Sequence, residues 1–434
     1  MTSNTLIKMQ YASLHAHLIL IFMVLLMGGC NTAGQKTESL MPAPIAITEG
    51  VVAPSVARQD LASSNEVSIF YATNRKPSKP DDGQHYVTDF DQNLRLGVAN
   101  IRIGNKGAPA DEIYSQAISP DRKKEIPLLL EQVTQQTVVT NRPDLDVISS
   151  ETRAYLKEIN AALVNSRNKD ITVYVHGANN TFYRSTVQAA QFRYFTGRQS
   201  VVLAFSWPSS GSLVHYGVDV KNSAQSYEVF ARLIKLLSRY TDARVINILS
   251  YSAGARVASP GLNLLAQVQG SKPRLGMVYY AEPDEHQVTF FRNLANYLHL
   301  TQSTTVTVNF HDSVLAFAET YNAKPDAGMP DPGQFSDEEK EVLIVKLDKP
   351  NFSVIDLDGS KIPGLARGEH GAWYNHPWVN TDVVTQFLFH ASPAERGLVL
   401  KKIERPWSKY WIYPEDYPAR IKKLLPELKE RKAP

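Results

Sequence analysis

Apolar and polar positions in the middle of the chain follow two different periods. Short runs rich in apolar and β-branched residues, typical of buried parallel strands, occur at residues 171–175, 201–205, 244–249, 275–280, 304–310 and 352–357. Residues 185–195 and 223–239 instead carry apolar side chains at helical spacing. Because strands that alternate with helices form a mainly parallel sheet covered on both faces, this pattern predicts an α/β fold with its site at the C-terminal ends of the strands.

The same pattern predicts where the folded domain begins and ends. Alternating strands at residues 67–75 and 96–103 open the ordered part of the chain. We expect the main domain to span residues 66–400. Residues 401–434 are expected to form a basic helical tail packed on that domain.

Two segments interrupt the alternation of strands and helices. Residues 104–170 form a long polar insertion, for which we predict helical stretches at residues 126–134 and 151–164. Residues 320–349 form an acidic, proline-rich excursion. Both segments have two interpretations, as covers that select substrates or as surface decoration.

The first 30 residues have the features of a bacterial lipoprotein signal. Lys8 precedes an apolar stretch, residues 18–27, that is too short to span a bilayer comfortably. The sequence LMGGC, ending at Cys30, resembles a lipobox, in which the cysteine is lipidated and becomes the new N-terminus. Residues 31–65 lack an apolar period and are expected to form a flexible tether.

This N-terminal segment predicts a location in the bacterial cell envelope. We expect lipidation of Cys30 to anchor the chain to a membrane, at the periplasmic side of the outer membrane if the source is Gram-negative. A plain secretory signal with an accidental cysteine is the alternative. Since Cys30 is the single cysteine, a mature chain has neither a free thiol nor a disulfide, which suits an oxidising compartment.

Composition and charge exclude several classes of partner. With 43% hydrophobic and 21% charged residues the chain is an ordinary globular protein, and a net charge of +3 is too small to indicate nucleic-acid binding. No group of histidines and carboxylates has metal-ligand spacing, and no glycine-rich phosphate loop occurs. We therefore expect no metal and no cofactor.

Candidate chemistry begins at Ser252, which lies in the sequence Ser250-x-Ser252-x-Gly254. The motif joins a buried strand to the start of a helix, and such a turn exposes a serine hydroxyl beside the helix N-terminus. Ser252 is the candidate nucleophile of this elbow. Ser250 stands where glycine is usual, and Pro260 is expected to kink or shorten the following helix.

A nucleophilic serine needs a base and an acid that orients the base, and in such sheets the acid precedes the histidine. Two aspartates follow Ser252 at strand ends. Asp312 ends the second strand after the serine, where the acid usually lies, so we favour it over Asp284.

His370 is the favoured base, because the neighbouring Gly368 and Gly371 give its loop freedom to project a side chain. His376 is the competitor, although the proline that follows restricts its backbone. His286 and His311 adjoin the acids and are expected to be local hydrogen-bond partners.

The developing oxyanion needs two backbone N–H donors. We expect one from Ala253, directly after the nucleophile. The second is expected from the loop after His176 and Gly177, at Ala178 or Asn179.

Together these motifs resemble a bacterial α/β-hydrolase family of unknown function in the esterase/lipase superfamily. The resemblance covers residues 66–390 and rests on VSIFYATNR (67–75), VYVHGANNTF (173–182), FSWPS (205–209), YGVD (216–219), SYSAG (250–254), AEPD (281–284) and HGAWY (370–374). It implies the α/β-hydrolase fold and the serine, aspartate and histidine roles given above, without a substrate.

We therefore expect a membrane-anchored serine hydrolase that cleaves a small-molecule or lipid acyl ester. Two alternatives stay open, a non-catalytic lipid-anchored binding or scaffold protein and an amide or peptide hydrolase. The same nucleophile serves esters and amides, so the sequence does not separate them.

Overall fold

The computed structural model describes residues 37–49, 64–79, 82, 84–119, 122–141, 145, 147–268, 270, 272–357, 362–402 and 409–430. The predicted signal peptide, its Cys30 and most of the predicted tether lie outside these residues. No helix within the described ranges combines the length and the apolar character that crossing a membrane requires.

One sheet runs through the described part of the chain. Its strands are β1 (Glu38–Ser39), β2 (Glu66–Pro77), β3 (Tyr86–Ile103), β4 (Pro127–Val139), β5 (Ile171–Val175), β6 (Val201–Ser206), β7 (Ile246–Tyr251), β8 (Leu275–Ala281), β9 (Ser303–Val308), β10 (Phe352–Asp356), β11 (Val399–Lys402) and β12 (Lys409–Ile412). Their spatial order is β1-β4-β3-β2-β6-β5-β7-β8-β9-β10-β12-β11. All pairs from β2–β6 to β10–β12 are parallel, whereas the outer pairs are antiparallel.

Helices cover both faces of this sheet. They are α1 (Ile45–Thr48), α2 (Ala110–Ala117), α3 (Ser150–Asn165), α4 (Phe182–Phe195), α5 (Tyr216–Tyr240), α6 (Ala255–Gln267), α7 (Gln287–Tyr297), α8 (Ser313–Asn322), α9 (Asp337–Leu347), α10 (Ala372–Asn375), α11 (Pro377–Phe389) and α12 (Tyr417–Glu430). Successive side chains of a strand point to opposite faces, so Val173 of β5 packs into one core and Tyr174 into the other. The predicted α/β fold with a mainly parallel sheet is confirmed.

The polar insertion differs from its prediction in one half. Residues 150–165 form the expected helix, α3, but residues 127–134 lie in strand β4 rather than in a helix, and residue 126 directly precedes that strand. Leu130 and Val133 pair with Ile101 and Ala99 of β3, so long-range backbone pairing decides the conformation. Local patterning misses such a strand because its polar residues line the half-exposed outer sheet.

Residues 37–49 fall within the predicted tether, yet they are ordered in the structure. Strand β1 pairs with β4, and Leu40, Met41 and Ile47 are buried in the core. The N–H of Ile45 also donates to the hydroxyl of Thr381, at 2.7 Å. Burial of these apolar side chains fixes a segment that shows no period in the sequence.

Two further differences concern the C-terminal half. The tail holds the predicted helix, α12, but it also contributes β12, which joins the sheet beside β10 and pairs with β11. Helix α6 continues through Pro260 to Gln267, so the proline does not shorten it. A proline removes one backbone hydrogen bond, and the buried face of α6, including Val257 and Leu262, holds the helix in place.

Candidate active site

Ser252 lies at a sharp turn directly after β7, with the left-handed backbone angle φ +50°. Serine rarely adopts this conformation, and such strain persists where the surrounding structure fixes it. A Cβ at Gly177 would lie 2.9 Å from that of Ser252, and one at Gly254 would lie 2.5 Å from the Val175 carbonyl oxygen. The tight packing therefore requires both glycines, whereas the position of Ser250 accepts a small side chain.

Three side chains that the sequence places far apart form one hydrogen-bonded chain. His370 Nε2 lies 2.9 Å from Ser252 Oγ, and His370 Nδ1 lies 2.6 Å from Asp312 Oδ2. The Asp312 side chain is fully buried, and that of His370 is 7% exposed. Ser252 itself is 5% exposed, so little of its surface is open to solvent.

Asp312 is held by the backbone as well as by the histidine. It is the N-cap of α8, and its Oδ1 accepts the N–H groups of Val314 and Leu315, each at 2.9 Å. The capping bonds aim Oδ2 at His370 and satisfy the other oxygen of a buried carboxylate.

Asp284, the alternative acid, has other partners. Its carboxylate accepts hydrogen bonds from the Tyr216 hydroxyl, at 2.8 and 2.9 Å, and from Arg256, at 2.6 and 3.0 Å. Asp284 is not hydrogen-bonded to His370 in the described structure. The geometry therefore pairs Asp312, and not Asp284, with the histidine.

The competing histidine, His376, is engaged elsewhere. Its Nδ1 accepts the N–H of Trp378 as the N-cap of α11, and its Nε2 lies 3.0 Å from the Pro363 carbonyl oxygen. His286 contacts Thr289, and the backbone N–H of His311 donates to Asn309.

Aromatic packing orients the His370 loop. Gly368 and Gly371 have φ of +83° and +100°, which side-chain-bearing residues rarely adopt. The Tyr251 ring, one residue before the serine, lies 5.2 Å from the His370 ring and 6.2 Å from that of Trp373. The strand that carries the serine therefore also supports the histidine.

The hydrogen bonds of the loop after β5 distinguish the two candidates for the second oxyanion donor, Ala178 and Asn179. The N–H of Asn179 donates to Asp219 Oδ2, at 2.9 Å, and is thereby occupied. Within the described structure the N–H of Ala178 has no such partner. Ala253 lies in the first turn after the serine, where N–H groups lack intrahelical acceptors. The geometry favours Ala178 and Ala253.

Two residues that the sequence analysis did not single out hold this loop. Asp219 also accepts the Ser209 hydroxyl, at 2.7 Å, and the Ser210 N–H, at 2.6 Å. The buried Arg75 donates to the carbonyl oxygens of Ser209 and Asn180, at 3.0 and 2.8 Å. Arg75 and Asp219 lie in two of the sequence motifs that carry the resemblance to the family, so those motifs could have identified them.

His176, in the same loop, is structural. It stacks on Trp207 with ring centroids 5.0 Å apart, and the Trp207 indole N–H donates to its carbonyl oxygen. Burial lowers the pKa of His176 to about 3, and Arg75 adds to this effect, so the ring stays neutral.

The excursion, residues 320–349, contacts two loops beside the site through the backbone of Gly328. The N–H of Gly328 donates to the Pro283 carbonyl oxygen, and the N–H of Asn309 donates to that of Gly328, both at 2.8 Å. The insertion instead supplies β4 and α3, which extend and cover the sheet.

A third acidic residue, Glu282, lies beside the aspartate–histidine pair. One ligand atom each from Glu282, Asp312 and His370 lies within 4.8 Å of the others, a spacing that could hold a metal ion. However, Asp312 and His370 are in direct hydrogen-bond contact, and Glu282 Oε2 accepts the N–H groups of Gly371 and Ala372. The contacts of His370 with Asp312 and Ser252 already occupy both of its ring nitrogens, one of which a metal ion would need.

The electrostatics of His370 follow from these carboxylates. Burial alone lowers the pKa of a histidine, but the charge and hydrogen bond of Asp312, with a further contribution from Glu282, outweigh it. The pKa of His370 is therefore raised above its ordinary value. The arrangement can accept a proton from a serine hydroxyl and stabilise the imidazolium that forms.

The sequence matches the family model described as Alpha/beta hydrolase of unknown function (DUF900) over residues 151–381. The match covers more than half of the 434 residues and includes Ser252, Asp312 and His370. No match was found among curated proteins. The chain belongs to this family of α/β hydrolases.

Proposed function

We propose that this α/β hydrolase is a serine esterase that cleaves an acyl ester in the bacterial cell envelope. Ser252 is the nucleophile, His370 the general base and acid, and Asp312 the group that orients the histidine. The N–H groups of Ala253 and Ala178 stabilise the oxyanion.

One observation carries the proposal. The Ser252–His370–Asp312 chain, with contacts of 2.9 and 2.6 Å, ends at a serine held in a left-handed turn at the C-terminal edge of the sheet. Strain at a turn persists where the surrounding structure fixes it, and this turn presents the serine hydroxyl to His370 beside a helix N-terminus.

The reaction follows from these contacts. His370 Nε2 takes the proton of Ser252 Oγ as the oxygen attacks the ester carbonyl, and the resulting oxyanion faces the backbone N–H groups. The imidazolium then gives its proton to the leaving alcohol, which leaves an acyl-serine. Water, deprotonated by the same nitrogen, attacks this ester, and the released proton returns to Ser252 as the carboxylic acid departs.

A fluorophosphonate probe tests the nucleophile directly. We expect the chain lacking residues 1–30 to be labelled, and Ser252→Ala to remain unlabelled at the same thermal stability. Ser250→Ala is the matched control, because Ser250 lies two residues away, is buried and has an unpartnered hydroxyl among the described residues. A well-folded wild-type chain without labelling would support the non-catalytic binding protein instead.

Paired substrates then separate ester from amide chemistry. p-Nitrophenyl esters of increasing chain length and the matching p-nitroanilides present the same acyl groups with different leaving groups. We expect turnover of esters and little of anilides. Faster turnover of the anilides would replace the esterase by an amide or peptide hydrolase.

The envelope location rests on the sequence around Cys30. In a bacterial host the full chain is expected to incorporate labelled palmitate and to sediment with membranes. Cys30→Ala is expected to lose both properties. Processing without lipid incorporation would indicate a plain secretory signal.

The excursion, residues 320–349, is proposed to influence substrate choice because its Gly328 packs against Pro283 and Asn309 beside the site. Replacing residues 335–347 by a short linker leaves Gly328 in place. An unchanged ester chain-length profile in that folded variant would assign this part of the excursion to surface decoration.

A further inference from the structure

Glu282 is a buried carboxylic acid directly after β8, and its backbone is left-handed, with φ +47°. Its Oε2 accepts the N–H of Gly371, at 2.8 Å, and of Ala372, at 3.2 Å. Its Oε1 is buried and has no hydrogen-bond partner among the described residues. A buried acid with one unsatisfied oxygen is unfavourable for folding alone, so its presence needs another reason.

The position of these bonds supplies that reason. Gly371 and Ala372 directly follow His370, so Glu282 holds the chain segment that presents the ring. A carboxylate oxygen of Glu282 also lies within 4.8 Å of ligand atoms of both Asp312 and His370. Glu282 therefore contacts the histidine loop through hydrogen bonds and faces the histidine through space.

We infer that Glu282 is a positioning residue for His370. Glu282 fixes the loop that carries the imidazole ring, and its carboxylate favours the protonated form of that ring. Its effect on catalysis rests on the proposed function, whereas its coupling to the ring is independent of any activity. It differs from Asp312 because it makes no direct hydrogen bond to the ring in the described structure.

The charges around this pair are consistent with such coupling. Burial raises the pKa of Glu282; His370 opposes this shift and Asp312 adds to it. Glu282 is in turn among the carboxylates that raise the pKa of His370. The titratable groups that face the two residues are Asp312, Asp284, Tyr251 and Tyr374.

The sign of the expected effect follows. A negative Glu282 stabilises the imidazolium, so its removal lowers the pKa of His370 and leaves the ring neutral at lower pH. Glu282→Gln retains an oxygen that can accept the two backbone N–H groups but has no charge. Glu285→Gln is the matched control, since Glu285 is also buried with a burial-raised pKa but does not contribute to the shift of His370.

Histidine-selective ¹³C NMR titration measures the coupling without turnover. In the Ser252→Ala protein, with the His370 signal assigned by its loss in His370→Asn, we expect Glu282→Gln to increase the acid dissociation constant of His370 about tenfold or more. Glu285→Gln should leave it unchanged. An unchanged constant in Glu282→Gln overturns the inference and leaves Glu282 a structural anchor.

A second measurement needs no substitution at Glu282. If the two groups are coupled, the His370 signal titrates in two steps, because ionisation of Glu282 alters the field at the ring. A single step overturns the inference even if Glu282→Gln fails to fold.

The pH dependence of fluorophosphonate labelling links the coupling to the proposed function. With Ser252 restored, Glu282→Gln is expected to shift the acid limb of the labelling rate to lower pH. A shifted NMR titration without labelling at any pH would retain the coupling and reject the esterase. Labelling with an unshifted acid limb would retain the esterase and reject the catalytic consequence of Glu282.

Discussion

Two histidine–aspartate pairs lie at opposite ends of the parallel strands, one after β9 and the other before β5. His370 Nδ1 is 2.6 Å from Asp312 Oδ2, and His390 Nε2 is 2.7 Å from Asp170 Oδ2. In both pairs the histidine side chain is 7% exposed and the aspartate is fully buried. Distance and burial therefore do not distinguish a candidate catalytic pair from a structural one.

Their surroundings do distinguish them. Asp170 and Arg244 precede β5 and β7, at the amino ends of the strands, and Arg244 donates to both oxygens of Asp170 at 3.0 and 3.2 Å. The guanidinium therefore compensates the carboxylate at that end. His370 instead reaches Ser252 at the carboxyl end of β7. The third group, a hydroxyl in one pair and a cation in the other, therefore distinguishes the two pairs.

The largest expected difference comes from removing each histidine. His370→Ala removes the proposed base, so kcat/KM for an ester is expected to fall roughly 10⁴- to 10⁶-fold. His390→Ala leaves Asp170 paired with Arg244, and we expect unchanged kcat/KM per folded molecule with a stability loss of about 1–3 kcal/mol. Ester kinetics and urea unfolding of both variants measure this. Equal activity losses would remove the distinction between the two pairs.

The second test compares the two aspartates near the site. Asp312→Asn preserves an N-cap for α8 but loses the carboxylate that orients His370, so kcat is expected to fall roughly 10³- to 10⁴-fold. Asp284→Asn weakens the bonds to Tyr216 and Arg256, so we expect a smaller loss of kcat and a loss of stability. A larger kcat loss in Asp284→Asn would make Asp284 the acid.

Much of this arrangement could be predicted because it depends on order along the chain. The C-terminal ends of parallel strands meet at one edge, so Ser252, Asp312 and His370 were expected together once each was placed after a strand. The sharp turn at Ser252 was likewise expected, from the Ser250-x-Ser252-x-Gly254 motif. Their catalytic roles stay a prediction until activity is measured.

What the sequence could not predict depends on contacts between distant segments. Asp219 lies inside a helix and yet binds the loop of Asn179, 40 residues earlier. Glu282 lies within the AEPD turn (281–284), but only the fold brings it to the residues after His370. Strand β4 and residues 37–49 were missed for the same reason, since pairing and burial rather than local pattern determine their structure.

The third test makes the same chemical change at each end of the sheet. Asp219→Asn removes the charge that faces Arg75 and weakens the hold on the loop of Ala178, so kcat is expected to fall about 10- to 100-fold. Asp170→Asn removes a buried charge that is paired with Arg244. We expect both variants to lose stability and only Asp219→Asn to lose kcat. A matching kcat loss in Asp170→Asn would show that general destabilisation, and not the loop, controls activity.

The smallest expected effect is the pH dependence of stability, which has opposite signs at the two ends of the parallel strands. Burial raises the pKa of Asp170, but its bonds to His390 and Arg244 outweigh this and lower it, so its stabilisation is present above about pH 4 and is lost as pH falls through the lowered value.

At the carboxyl ends of the strands, the pKa of His370 is raised, so the pH dependence of stability has the opposite sign. Burial opposes the rise, but Asp312 outweighs it, so the stabilisation is complete below about pH 6.5 and is lost as pH rises through the raised value. The base becomes neutral over that same range, so labelling by the fluorophosphonate should increase there as stability declines. Urea unfolding of wild type, Asp170→Asn and His370→Ala from pH 3 to 10 tests both signs. We expect the stability difference from wild type to shrink in acid for Asp170→Asn and in alkali for His370→Ala, and parallel profiles would contradict the assignment of opposite electrostatic roles.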